Sequence, residues 1–135
     1  MIGVLLVTHG AVGEALLAAA QQILGEGQQG VAVLGVARGD DPDAVLERGR
    51  GLVARLDAGS GVLVLADMFG ATPSNVAARL LEDGRVEGVS GVSLPMLVRV
   101  LAGRNGSLAT GVRRALSGGA EGVVHMNADR AGAQR

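Results

Sequence analysis

The sequence predicts an α/β domain built on an open, mainly parallel central sheet with helices on both faces. Three observations carry this reading. Short apolar runs at Ile2–Val7, Val31–Val36 and Val62–Ala66 are almost continuously hydrophobic, the pattern of strands buried on both faces. Segments of helical period alternate with them, as parallel strands with helical crossovers require. The length, 135 residues, suits one domain with a sizeable core.

The elements follow in order. After the first strand, Val12–Leu24 brings Leu16, Ala19, Ala20, Ile23 and Leu24 near one helical face, and Gly25 stops it. After the second strand, Asp41 caps a helix that has Pro42 at its first position, with Val45, Leu46, Leu52, Val53 and Leu56 as the apolar stripe. Gly49 and Gly51 inside this helix each cost about 1 kcal/mol relative to Ala, which close packing would explain. Thr72-Pro73 repeats the cap-then-proline signature and opens a helix through Val76, Ala77, Leu80 and Leu81. A weaker strand at Val86–Val92 precedes helices at Leu94–Leu101 and Ser107–Leu116, separated by the turn from Gly103 to Gly106. A last weak strand falls at Gly122–Val124. Residues 1–125 read as one domain and 126–135, rich in Ala, Gly and charge, as a flexible tail.

Composition removes several functions. With 48% hydrophobic residues, 19% charged and a net charge of -1, the chain is not disordered and offers no basic field for nucleic acid. Phe69 is the only aromatic, so stacking platforms for bases are missing and a flavin ring has nothing to flank it. The lack of Cys excludes disulfides, thiolate nucleophiles and Cys-based metal sites. There is no Lys, no GxxxxGK[ST] and no GxGxxG after the first strand, which leaves independent nucleotide hydrolysis and NAD chemistry without their phosphate loops. His9, Asp67 and His125 lack metal-ligand spacing, so neither metal nor cofactor is expected. The first apolar run is too short to span a membrane and has no basic flank. The expected location is the cytoplasm.

In open α/β sheets, ligands gather at the carboxyl ends of the strands, above all where strand order reverses. Residues Thr8 to Gly13, Asp67 to Pro73 and Ser90 to Ser93 fall there. His9 is the most reactive group among them, a nucleophile, base or ligand near neutral pH; the alternative is a histidine that only hydrogen-bonds its loop. Asp67 is placed to accept a hydrogen bond from His9 Nδ1–H, leaving the Nε2 lone pair outward; the alternative is a turn cap. A nearby carboxylate also favours imidazolium, which cannot attack, whereas burial and a helix N-terminus favour the neutral ring. Gly70, Ala71, Thr72 and Pro73 supply such a terminus, with free N–H groups and the Thr72 hydroxyl for phosphate oxygens, and Gly10 provides a second small turn. His125 reads as a structural residue of a late strand or the tail.

Three segments carry a resemblance. MIGVLLVTHGAVGEALL, LADMFGATPSNVA and SGVSLPMLVRVL together resemble the enzyme IIA domain of the mannose-family bacterial sugar phosphotransferase system, over nearly the whole chain. That likeness implies a phosphotransferase working through a phosphohistidine. His9 would accept the phosphoryl group from phospho-HPr on Nε2, and Asp67 would be its partner. Gly10, Gly70, Ala71 and Thr72 would form the phosphate-binding turns. The acceptor would be a separate enzyme IIB or a regulatory protein, and the resemblance also implies a homodimer that exchanges C-terminal strands.

The sequence departs from the family pattern at Ala71, where glycine is common and φ freedom is lost, and at Ser74, where a bulky apolar residue is common and the helix start would be less buried. Three other readings compete. One is a regulatory module switched by phosphorylation of His9. Another is the phosphocarrier subunit of dihydroxyacetone kinase, whose second motif is less similar. The last is a flavodoxin-like binding module without covalent chemistry.

Overall fold

A computed structural model describes residues 1–133. Four strands, β1 (Gly3–His9), β2 (Val31–Val36), β3 (Val62–Ala66) and β4 (Val86–Ser90), pair in parallel in the order β2-β1-β3-β4. Six helices accompany them: α1 (Val12–Leu24), α2 (Pro42–Leu56), α3 (Thr72–Ala78), α4 (Leu94–Leu101), α5 (Leu108–Glu121) and α6 (Met126–Ala133).

The continuous apolar runs follow from burial on two sides. Val4, Leu6, Leu63 and Leu65 pack with Ala20 of α1, Met96, Leu97 and Val100 of α4, and Leu108 and Ala115 of α5. The alternate residues Leu5, Val7, Val62 and Val64 pack with Val45 and Leu46 of α2 and Val76 and Ala77 of α3. Successive strand side chains point to opposite faces, so each strand residue needs a helix above it or below it.

Glycines set how closely the layers approach. A Cβ on Gly49 would lie 3.1 Å from Leu80 Cδ1 and 3.2 Å from Leu34 Cδ2, which accounts for a glycine within α2. Gly51 has nothing within 4 Å, and nothing in the structure explains it. A Cβ on Gly118 would stand 3.1 Å from Arg99 Cβ and 3.2 Å from Met96 Cα, so α5 lies against α4 along its glycines. This contact carries α5 past the expected end at Leu116 to Glu121.

Other boundaries also differ from expectation. β1 continues beyond Val7 because Thr8 and His9 still pair with Gly35 and Val36 of β2. The Asp41 cap is as expected, its carboxylate accepting from Asp43 N–H at 3.2 Å. Thr72 is not a cap: the N-cap is Ala71, and α3 ends at Ala78, leaving Leu80 buried in the following turn. Ser74 is buried rather than less buried, lining one cavity with Phe69, Val64 and Val89. Gly122–Val124 forms no strand, since a strand exists only by pairing and none lies beside this segment. Met126–Ala133 is helical where no helical pattern was expected, and the exposed His125 carbonyl accepts from Ala128 N–H at 3.1 Å at its start.

At the amino end of the sheet, Arg104 is buried without a carboxylate. Its guanidinium donates to the Gln29 carbonyl, and burial lowers its pKa from the ordinary value. With Ile2 N–H bonded to the Arg104 carbonyl at 3.0 Å, this residue ties the α4–α5 turn to β1 and β2.

Urea denaturation tests the packing argument. Gly51→Ala should raise the unfolding free energy by about 0.5–1 kcal/mol, the helix-propensity gain alone. Gly118→Ala should lower it by about 1–3 kcal/mol, because a backbone atom blocks the new methyl.

Candidate functional site

Strand order reverses between β1 and β3: the chain moves outward from β1 to β2 on one side and from β3 to β4 on the other. His9 ends β1, and Asp67 follows the last residue of β3. The switch point therefore places these two residues side by side, 58 positions apart in sequence.

A single carboxylate oxygen joins them. Asp67 Oδ2 accepts from the His9 backbone N–H at 2.9 Å and lies 2.9 Å from His9 Nδ1. Burial pushes the Asp67 carboxyl up, but the His9 backbone N–H, the His9 ring and Asp67's own N–H together outweigh it and hold its pKa below the usual carboxylate value. An ionised carboxylate can only accept, so Nδ1 carries the hydrogen, and in the neutral ring Nε2 is left with its lone pair. Asp67 Oδ1 is buried without a hydrogen-bond partner, so the carboxylate is anchored through Oδ2 alone. The exposures divide the roles: the His9 side chain is 50% exposed and that of Asp67 13%.

The loop after β1 is held from within the sheet. Thr8 is fully buried, and its Oγ1 accepts from Gly13 N–H at 2.8 Å. It satisfies the first turn of α1, whose N-cap, Ala11, has no side chain to offer. Gly35 makes the room: a Cβ there would fall 2.5 Å from the Gly10 carbonyl oxygen. Neither Thr8 nor Gly35 stood out as a site residue, because a strand threonine and a strand glycine carry no sequence signal until the neighbouring strand is known.

The small-residue turns divide. Gly10 needs its φ of +45°, but its N–H donates to the Val36 carbonyl at 2.9 Å and is not free for a ligand. Gly70 adopts φ +84°, whereas Ala71 sits at φ −86° and loses nothing by not being glycine. Among the described residues, the N–H groups of Gly70 and Thr72 donate to no protein acceptor. A groove of about 440 Å³ runs beside the histidine, lined by His9, Thr72 and Pro73 on one side and Val36 to Asp40 with Pro42 on the other. Thr72 thus joins His9 in the groove, while Gly70 and Ala71 lie outside its lining. The third segment, Ser90 to Ser93, supports the site from below, since Gly91 and Val92 N–H both donate to the Ala66 carbonyl at 2.9 Å. Phe69 is 85% exposed, with Met68 exposed beside it. No described helix is long and apolar enough to cross a membrane.

The switch point of this parallel α/β domain presents a half-exposed histidine oriented by a carboxylate. The family model described as "PTS system fructose IIA component", EIIA-man, matches residues 3–116, and the chain belongs to that family of phosphotransferase-system IIA components. It is 35% identical over 130 residues to the PTS system mannose-specific EIIAB component of Escherichia coli K12, covering 94% of this chain and 40% of that protein. It is 34% identical over 103 residues to the PTS system fructose-specific EIIA component of Bacillus subtilis, covering 76% of this chain and 70% of that protein. The phosphotransferase system component EIIA from Streptococcus agalactiae superposes with a TM-score of 0.84 at 25% identity, covering 95% of this chain and 99% of that one. The parallel α/β fold expected from sequence is that of these IIA structures.

The depressed Asp67 pKa gives a pH dependence of defined sign. Its stabilisation is fully present above the unfolded carboxylate value and is lost as pH falls through the lower folded value. Urea unfolding of the protein and of Asp67→Asn should therefore differ most at neutral pH. The gap should close below about pH 4.

Proposed function

We propose that the protein is a phosphocarrier, taking a phosphoryl group from phospho-HPr onto His9 Nε2 and passing it to a histidine of an enzyme IIB partner. The observation that carries this reading is the Asp67 Oδ2–His9 Nδ1 hydrogen bond of 2.9 Å on a ring whose other nitrogen has no acceptor or donor among the described residues. The Nε2 lone pair attacks phosphorus as the donor P–N bond breaks, and the donor nitrogen keeps the electron pair. The Nδ1 proton stays where it is. Phosphorylation thereby turns the ring into an imidazolium, whose charge the adjacent carboxylate stabilises. Transfer onward reverses these steps.

In this reading Thr72, with the free N–H groups of Gly70 and Thr72, faces the phosphoryl oxygens, and Ala71 keeps the turn small. Gly10 serves by its backbone geometry rather than by donating a hydrogen bond. Phe69 and Met68 form the apolar rim on which the partner protein docks. The site lies in the cytoplasm, where phospho-HPr is found.

We further propose a homodimer in which residues 122–125 add to the β4 edge of a second copy. Val123, Val124 and Met126 are exposed apolar residues, and β4 ends the sheet with one edge unoccupied by another strand.

Incubation with enzyme I, HPr and labelled phosphoenolpyruvate should add one acid-labile, base-stable phosphate per chain. His9→Ala should take up none, and undiminished labelling of that variant overturns the assignment. Asp67→Ala should fold and accept phosphate about 10²–10⁴-fold more slowly; an unchanged rate would make Asp67 only a turn cap. For the dimer, sedimentation velocity should find two copies in the native protein and one when Val123 and Val124 are both changed to Asp. A native monomer rules the exchange out.

A further inference from the structure

Phosphorylation of His9 would load the site with charge that the groups described so far do not balance. The phosphoryl group brings nearly two negative charges, the ring gains one positive charge, and the Asp67 carboxylate already carries one negative. Backbone N–H groups and a hydroxyl supply only partial charges. The chain contains no Lys, so among its side chains the permanent counter-charges are arginines.

Among the residues lining the groove beside His9, Arg38 is the one cation. It lies two residues beyond Val36, which pairs with His9 in the sheet. Its turn is closed twice: Asp40 N–H donates to the Ala37 carbonyl at 3.1 Å, and Asp40 Oδ2 accepts from Ala37 N–H at 2.8 Å. Gly39, at φ +89°, allows this tight reversal. On the far side, Asp41 is committed to capping α2. The two carboxylates that follow it in the chain thus have backbone partners, and among the described residues Arg38 has neither an ion pair nor a side-chain hydrogen bond. A guanidinium on a fixed turn, facing the same groove as the reacting nitrogen and unclaimed by any carboxylate, is suited to a phosphoryl group, which it meets with two parallel N–H donors.

We propose that Arg38 binds the phosphoryl group on His9 and thereby sets how strongly this protein retains phosphate against its donor. The proposal rests on the phosphocarrier reading of His9. Arg38 adds no bond-making step: the phosphoryl group moves from the donor nitrogen to Nε2 as described, and Arg38 pairs with the oxygens in the product. Its contribution is a charged hydrogen-bonded pair, so its loss should shift the exchange equilibrium by roughly 10- to 100-fold.

Two donors separate this proposal from the reading beneath it. Phosphoramidate presents no protein surface, whereas phospho-HPr must dock. The native protein, Arg38→Gln and Arg38→Lys are phosphorylated with each, and ³¹P NMR follows the phosphoryl resonance as pH is varied. Arg38→Gln should titrate at higher pH than the native phosphoprotein, because the neighbouring cation that favours the dianion is gone. The phosphoryl equilibrium should move 10- to 100-fold towards HPr in Arg38→Gln and by less in Arg38→Lys. A residue that only shapes the turn or only docks HPr would leave the ³¹P titration unmoved. Superimposable titrations and equilibria in the native protein and Arg38→Gln overturn the role of Arg38 while leaving His9 as carrier. Failure of the native protein to take phosphate from either donor overturns both.

Discussion

One oxygen of Asp67 accepts two hydrogen bonds from a single residue, and the site depends on that arrangement. The backbone bond fixes where β1 ends relative to β3, and the ring bond fixes which imidazole nitrogen faces outward. Because both bonds share Oδ2, the side chain cannot rotate away without also loosening the strand end. Position and protonation are coupled through one atom. The unpartnered Oδ1 strengthens this coupling, since the carboxylate has no second anchor to share the load.

The helix starts are of two kinds. Asp41, Ser93 and Ser107 cap α2, α4 and α5 with their own side chains. The helices that follow His9 and Asp67 along the chain have alanine at the N-cap, Ala11 for α1 and Ala71 for α3. A cap is worth about 1 kcal/mol, so two good helix ends are left less stable than they could be. At α1 the loss is offset by Thr8 reaching back from the sheet. At α3 the N–H groups of Gly70 and Thr72 have no protein acceptor among the described residues.

Much of this was legible in the sequence because it depends on local pattern. The doubly buried strands announced themselves as unbroken apolar runs, and β2 and β3 begin and end where those runs do. His9 and Asp67 could be paired from the rule that sites form where strand order reverses. What escaped was set by partners distant in sequence. Gly35 is a glycine because the Gly10 carbonyl passes over it, and α5 outlasts its apolar pattern because α4 lies against its glycines. Thr72 looked like a cap since Thr-Pro usually is one, yet the helix takes Ala71 instead. The segment Gly122–Val124 has the composition of a strand but no strand beside it among the described residues.

The unequal exposure of the histidine and its aspartate has a kinetic consequence. In the proposed phosphocarrier role, Asp67 holds Nδ1 and the half-exposed ring offers Nε2, so donor and acceptor would have to approach the same nitrogen. Donor and acceptor would then compete for occupancy, and throughput would follow a substituted-enzyme pattern governed by how quickly each visitor leaves. Tighter grip on one partner would therefore slow the relay, which favours a shallow, small-residue surface over a deep one.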